Sequence, residues 1–198
     1  MLTVAIYGGA FNPPTLTGHR HVVSELLGYN SGLDAIAVIP AFRHVFKPEL
    51  ERTFETRLQM CRHTFSGLNV IISDAERRAI VQDSCDGSTI QLIQFIKKEH
   101  PNIDFRVIVG VDNADSIDSW KEPSKLIELV PFIVVARGGY TPKSEWYKKG
   151  PHRYVNIPMQ EISSSAIREA VVRGDWDFLK THVHSDVIEM IKRDNLYV

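Results

Sequence analysis

A histidine closing a run rich in glycine and proline is the first place in this chain where chemistry could sit. The run reads Gly8-Gly9-Ala10-Phe11-Asn12-Pro13-Pro14-Thr15-Leu16-Thr17-Gly18-His19 and follows the apolar, β-branched segment Leu2 to Tyr7. Glycines at a strand end let the backbone approach a ligand closely and turn with positive φ. Gly18-His19 opens a helical pattern, and a helix start offers unpaired N–H groups and the positive end of a dipole, which suits phosphate. A histidine there can hydrogen-bond a phosphoryl oxygen as charge develops on it. A tight strand-to-helix turn with a surface histidine would explain the glycines alone equally well, because the run is neither a dinucleotide fingerprint nor a Walker A loop.

A second run, Ile162-Ser163-Ser164-Ser165-Ala166-Ile167-Arg168, precedes another apolar-periodic segment. Ser163 or Ser164 suits an N-cap. Arg168 falls one turn inside, where its forked donors can meet the same anion as the helix start. Simple capping plus a surface arginine is the plain alternative.

The elements that must position these residues alternate. Strand-like runs cover Leu2 to Tyr7, Ala35 to Ile39, Val70 to Ile72, Phe105 to Val109, Phe132 to Val135 and Tyr154 to Ile157. Helical spacing covers His19 to Leu27, Phe54 to Phe65, Ser88 to Lys98, Pro123 to Leu129, Ser164 to Val172 and Ser185 to Arg193. The stretches Arg43 to Thr53, Glu76 to Gly87 and Gly138 to His152 show the least regular pattern. Alternation of this kind predicts an α/β fold, a Rossmann-like doubly wound parallel sheet with helices on both faces. Ligands in such folds bind beyond the carboxyl ends of the strands, and both runs above follow strands.

The chain has 198 residues, 43% hydrophobic and 24% charged, with a formal net charge of -1. That size predicts one domain over residues 1–198, its last ~35 residues forming a helical subregion that carries the serine-rich run. The charge balance and the lack of a basic, aromatic-interleaved tract argue against a nucleic-acid partner. Met1 leads straight into an apolar strand with no basic leader, and no apolar run is long enough to span a bilayer, so a cytoplasmic protein is expected. Cys61 and Cys85 match no zinc or redox spacing. His182 and His184 read as solvated rather than ligating, and no metal ligand set is expected from the protein. The sequence is compatible with a homo-oligomer.

The first run resembles the GGxF(D/N)P-x-(H/T)xGH signature of the adenylyltransferase superfamily related to class I aminoacyl-tRNA synthetases, and the second resembles its ISSTxIR motif, with Ser165 in the threonine position. Gly9, Phe11, Asn12, Pro13, Gly18 and His19 match as they stand. The run from Asn12 to His19 is one residue longer than the signature. Either Leu16 takes the first signature position, or a residue is inserted and Thr15 serves; Thr15 is preferred because leucine cannot donate to phosphate. Further segments resemble the bacterial nicotinate mononucleotide adenylyltransferases: Ile39-Pro40-Ala41 with Lys47, Arg57-Leu58-Gln59-Met60, Ser73-Asp74 with Glu76, Ser88-Thr89, Val109-Gly110-Val111-Asp112-Asn113 with Trp120, and Val134-Val135-Ala136-Arg137-Gly138.

The resemblance implies transfer of the adenylyl group of ATP to nicotinate mononucleotide, giving deamido-NAD and pyrophosphate, with nicotinamide mononucleotide as a second acceptor. It implies His19, Thr15 and Arg168 as catalytic groups. It implies an ATP site of Gly8, Gly9, Ala10, Phe11, Gly18, Gly110, Asp112, Ile162, Ser163 and Ser164. Asn12, Lys47, Thr89, Trp120 and Arg137 would hold the pyridine mononucleotide, and Mg²⁺ would arrive on the triphosphate. Where the family approaches the pyridine substituent this chain departs from its pattern, with Ser88 in place of a tyrosine; Arg77, Arg78 and the helix start at Ser88 could there serve a carboxylate. The alternatives are another transferase of the superfamily, acting on phosphopantetheine or a small phosphoalcohol, and a nucleotide-binding module without catalysis.

Overall fold

The computed structural model describes residues 1–28, 32–43, 53–136, 143–159 and 162–198. Six parallel strands form one sheet: β1 (Leu2–Gly9), β2 (Ala35–Pro40), β3 (Val70–Ile72), β4 (Ile103–Gly110), β5 (Phe132–Ala136) and β6 (Arg153–Asn156), in the order β3-β2-β1-β4-β5-β6. The chain winds outward from β1 in one direction and then, from β4, in the other. The crevice between β1 and β4 is therefore the switch point where such sheets bind ligands. The register brings Tyr7 beside Ile108, and Gly8 and Gly9 beside Ile39 and Pro40.

Side chains alternate across the sheet with period two. Val4, Ile6, Val107 and Val109 face one layer, with α3 (Ala75–Asp83), α4 (Thr89–Glu99), α5 (Val111–Asp115) and α6 (Pro123–Leu129). Ala5, Ile36, Val38 and Ile108 face the other, with α1 (His21–Gly28) and α2 (Phe54–Thr64). A third apolar cluster joins α7 (Ser164–Arg173), α8 (Trp176–His182) and α9 (Ser185–Arg193) to Met60 of α2. Among the described residues no helix is long and apolar enough to cross a membrane.

The expected doubly wound sheet is present, and several elements need correction. The stretch from Glu76 to Gly87 opens with α3, not with irregular chain. This helix buries Ala75, Glu76, Ala79 and Ile80, so its inward stripe holds two alanines and a carboxylate beside a single large apolar residue and leaves little apolar periodicity to read. The last helices number three: Gly174, at φ 69°, ends α7, and the Asp175 side chain accepts from Phe178 N–H to start α8. His182, on α8, is consequently buried rather than solvated, and its Nδ1 lies 2.7 Å from Thr17 Oγ1. Within Gly138 to His152, Trp146–Lys148 form a 3₁₀ turn.

Candidate active site

The loop after β1 is fixed from below. Arg57 of α2 is fully buried; its guanidinium donates to Ala10 O and Ala41 O, each at 2.7 Å, and to Thr53 Oγ1 at 3.1 Å. One side chain thus ties the carboxyl ends of β1 and β2 together. Phe11 sits at φ 45° with its ring fully buried, 5.0 Å from the ring of His19 and 5.5 Å from that of Tyr7. A Cβ on Gly9 would lie 3.2 Å from the Phe11 ring, which explains a glycine there. Phe11 supports the loop and the face of His19 rather than lining the open crevice.

Thr15 and His19 form a closed local unit. Thr15 is fully buried. His19 N–H donates to Thr15 Oγ1 at 3.2 Å, Thr15 N–H donates to His19 Nδ1 at 3.1 Å, and the Thr15 hydroxyl lies 2.9 Å from the same nitrogen. A backbone N–H can only donate, so Nδ1 is the acceptor and the neutral ring carries its proton on Nε2. The imidazole is set up as an N–H donor. Leu16–Arg20 form a wide π-type turn in which Arg20 N–H reaches Thr15 O at 3.0 Å. Such turns take up one extra residue, which is the excess counted between Phe11 and His19. The Thr15 hydroxyl reaches His19, a contact the apolar Leu16 side chain cannot make. A Cβ on Gly18 would lie 2.7 Å from Thr15 Oγ1 and 2.9 Å from Ile162 Cγ2, so only glycine lets the two runs meet.

The serine-rich run clasps this loop. The Ser163 hydroxyl accepts from Ala166 N–H and caps α7. Ser164 Oγ donates to Pro13 O at 2.9 Å, and Arg168 Nη1 donates to Asn12 O at 2.8 Å. Asn12 is buried.

Above these residues lies a cavity of about 510 Å³ at the β1/β4 switch point. Gly8, Gly9, Ala10, His19, Thr89, Gly110, Asp112 and Trp120 line it, so eight expected residues from four segments share one space. Phe11, Asn12, Thr15, Gly18, Ile162, Ser163, Ser164 and Arg168 are not among the lining residues; Phe11, Thr15, Ser164 and Arg168 hold the loop that carries them. Lys47 and Arg137 lie outside the described residues. A Cβ on Gly110 would lie 2.5 Å from Asp112 Oδ1, so glycine lets that carboxylate fold back over the end of β4. Arg77 and Arg78 do not line the cavity; Arg77 pairs with Glu55 and Asp74, Arg78 with Asp74 and Glu99. The start of α4 does line it, through Gly87 and Thr89. Lys121, next to Trp120, pairs with Asp86 and holds that carboxyl well below its ordinary range.

Glu76 and Arg43 also line the cavity and had no role assigned from sequence. Glu76 is buried, and its Oε1 accepts from Phe42 N–H at 2.8 Å. Burial pushes its carboxyl up to about 7, against the downward pull of the Phe42 and Arg43 N–H groups and the Arg57 guanidinium. Only the short Ser73-Asp74-Glu76 resemblance pointed at it; its burial depends on α3, which the apolar pattern concealed.

A parallel sheet with a glycine-walled crevice at its switch point and a donor histidine on the rim defines a nucleotide-binding α/β protein. The chain belongs to the cytidylyltransferase-like family, whose model matches residues 6–170. It is 32% identical over 171 residues to a Salinibacter ruber protein described as "probable nicotinate-nucleotide adenylyltransferase", covering 84% of each chain. An Anaeromyxobacter dehalogenans protein of the same description is 29% identical over 205 residues, 98% of this chain and 96% of that one. The Plasmodium falciparum nicotinic acid mononucleotide adenylyltransferase, solved in complex with NaAD, superposes with a TM-score of 0.75 at 25% identity over 100% of this chain and 98% of its own. A complex of that enzyme with APC gives a TM-score of 0.73 at 25% identity.

Proposed function

We propose that this chain is a nicotinate-nucleotide adenylyltransferase, joining ATP and nicotinate mononucleotide to give deamido-NAD and pyrophosphate. The observation that carries this reading is the single cavity shared by Gly8–Ala10 and His19 at one side and Thr89, Gly110, Asp112 and Trp120 at the other. Its two kinds of wall suit two nucleotides. Full-length similarity to proteins of that description supports the choice of acceptor.

An oxygen of the mononucleotide phosphate attacks the α-phosphorus of ATP. The bond to the bridging oxygen of the β-phosphate breaks, and pyrophosphate leaves. The nucleophile is already an anion, so the protein supplies alignment and charge stabilisation rather than a base. His19 donates its Nε2–H to a phosphoryl oxygen, and Thr15 keeps that tautomer in place. The glycine backbone and the Ser164–Arg168 clasp fix the loop around the triphosphate. Mg²⁺ carried by the triphosphate would neutralise part of its charge, with no ligand set required of the protein. Trp120 offers the pyridinium a face, and the start of α4 offers its carboxylate unpaired N–H groups. Asp112 takes the adenosine side. We read residues 1–198 as one catalytic domain in the cytoplasm, in keeping with two free cysteines.

Pyrophosphate release with ATP and each of nicotinate mononucleotide, nicotinamide mononucleotide and phosphopantetheine tests the reading. Nicotinate mononucleotide is expected to give the highest kcat/KM, about tenfold or more above the others. Preference for phosphopantetheine would overturn it.

A further inference from the structure

Ser164 and Arg168 are not alone in holding the amino-terminal loop. The Tyr197 hydroxyl donates to Asn12 Oδ1 at 2.7 Å, across 185 positions of sequence. The Tyr197 ring packs with the cluster of α7, α8 and α9, and its hydroxyl lies 3.9 Å from Met60 Sδ of α2. Two non-glycine residues here adopt positive φ, Asn195 at 47° and Tyr197 at 70°. A bulky side chain holds that conformation only where its surroundings determine it. The backbone after α9 is bent to deliver this side chain to residue 12.

Packing alone does not ask for the hydroxyl. A phenylalanine would fill the same apolar space, whereas a half-buried hydroxyl needs a partner. The partner is a loop side chain whose own carbonyl is already gripped by Arg168. We propose that Tyr197 is a positioning residue for nucleotide binding. Together with Arg168 it locks Asn12, and so sets the path of the backbone between Ala10 and the turn that carries His19. This rests on the nucleotide-binding reading above and is independent of the acceptor.

The test is the Tyr197→Phe variant, with ATP binding in the presence of Mg²⁺ measured by calorimetry and the KM for nicotinate mononucleotide measured by pyrophosphate release. Loss of the hydrogen bond is expected to weaken ATP binding about three- to tenfold, with the mononucleotide KM within about twofold of wild type. In an Asn12→Ala background, where the acceptor is gone, the same change is expected to cost nothing further. In an Asn12→Asp background, where a carboxylate still accepts, its effect returns. Unchanged ATP affinity in Tyr197→Phe, equal losses for both substrates, or simple additivity with Asn12→Ala would overturn the proposal. A wild-type chain that binds ATP but forms no deamido-NAD would overturn the acceptor instead, and the calorimetry would still decide the role of Tyr197.

Discussion

His19 commits one ring nitrogen to Thr15 and keeps its proton on the other. That division makes two residues responsible for one donor. His19→Ala is expected to lower kcat/KM about 100-fold or more, with circular dichroism unchanged. Thr15→Val removes the hydroxyl at Nδ1 while keeping the volume, and is expected to lower kcat about tenfold with substrate KM values nearly constant; Thr15→Ser should restore most of it. A Thr15→Val variant with wild-type turnover would detach Thr15 from the mechanism. The signature was legible at this scale because residue types carry it. Its division of labour was not, since sequence alone does not tell a ligand from the residue that orients it. Thr15 was expected on the phosphate, and the structure puts its side chain on the histidine. Asn12 was expected at the mononucleotide, and its side-chain oxygen is held by Tyr197.

The elements meet at the site through a few buried cross-ties, and Arg57 is the most buried of them. Its guanidinium joins the ends of β1 and β2 from α2. Arg57→Met is expected to destabilise the fold by about 3 kcal/mol or more, since the carbonyls of Ala10 and Ala41 lose their donor inside the protein. Urea denaturation checks the magnitude, and Arg57→Lys should recover only part of it, because one ammonium cannot reproduce the fork. Gly18→Ala is expected to cost about 1–3 kcal/mol and a larger share of activity, as its Cβ meets Thr15 Oγ1 and Ile162 Cγ2. Five of the six strands were legible in place, three of them nearly in full and β1 and β4 short of their ends, because strands at the centre of a parallel sheet read as continuous β-branched runs. Only β6 was displaced, starting at Arg153 and ending at Asn156. The helices were less uniform. α3 hides its inner face behind small residues and Glu76, and α8, Trp176–His182, lacks the starting proline that marks the equally short α6.

The whole molecule should feel the buried carboxyl of Glu76. Its value near 7 in the folded chain lies above the ordinary 4.5, so the folded state holds that proton more tightly than the unfolded state. The stabilisation is full below about pH 4.5 and is lost as pH rises through about 7. Relative to Glu76→Gln, the wild-type chain is expected to lose stability between pH 5 and 8, by up to about 3 kcal/mol. A pH-independent difference would contradict the assignment. The fold class follows from alternation along the chain, and the nucleotide loop from its signature. The closing of residues 12–19 by α7, α8 and Tyr197 needed coordinates, because its contacts join positions more than 150 residues apart. The most direct measurement is the yield of deamido-NAD and pyrophosphate from ATP and nicotinate mononucleotide, for the wild-type chain and His19→Ala side by side. Equimolar products from the wild type, with about 100-fold slower formation by the variant, are the expected result. No product from the wild type, or equal rates from the two, would contradict it.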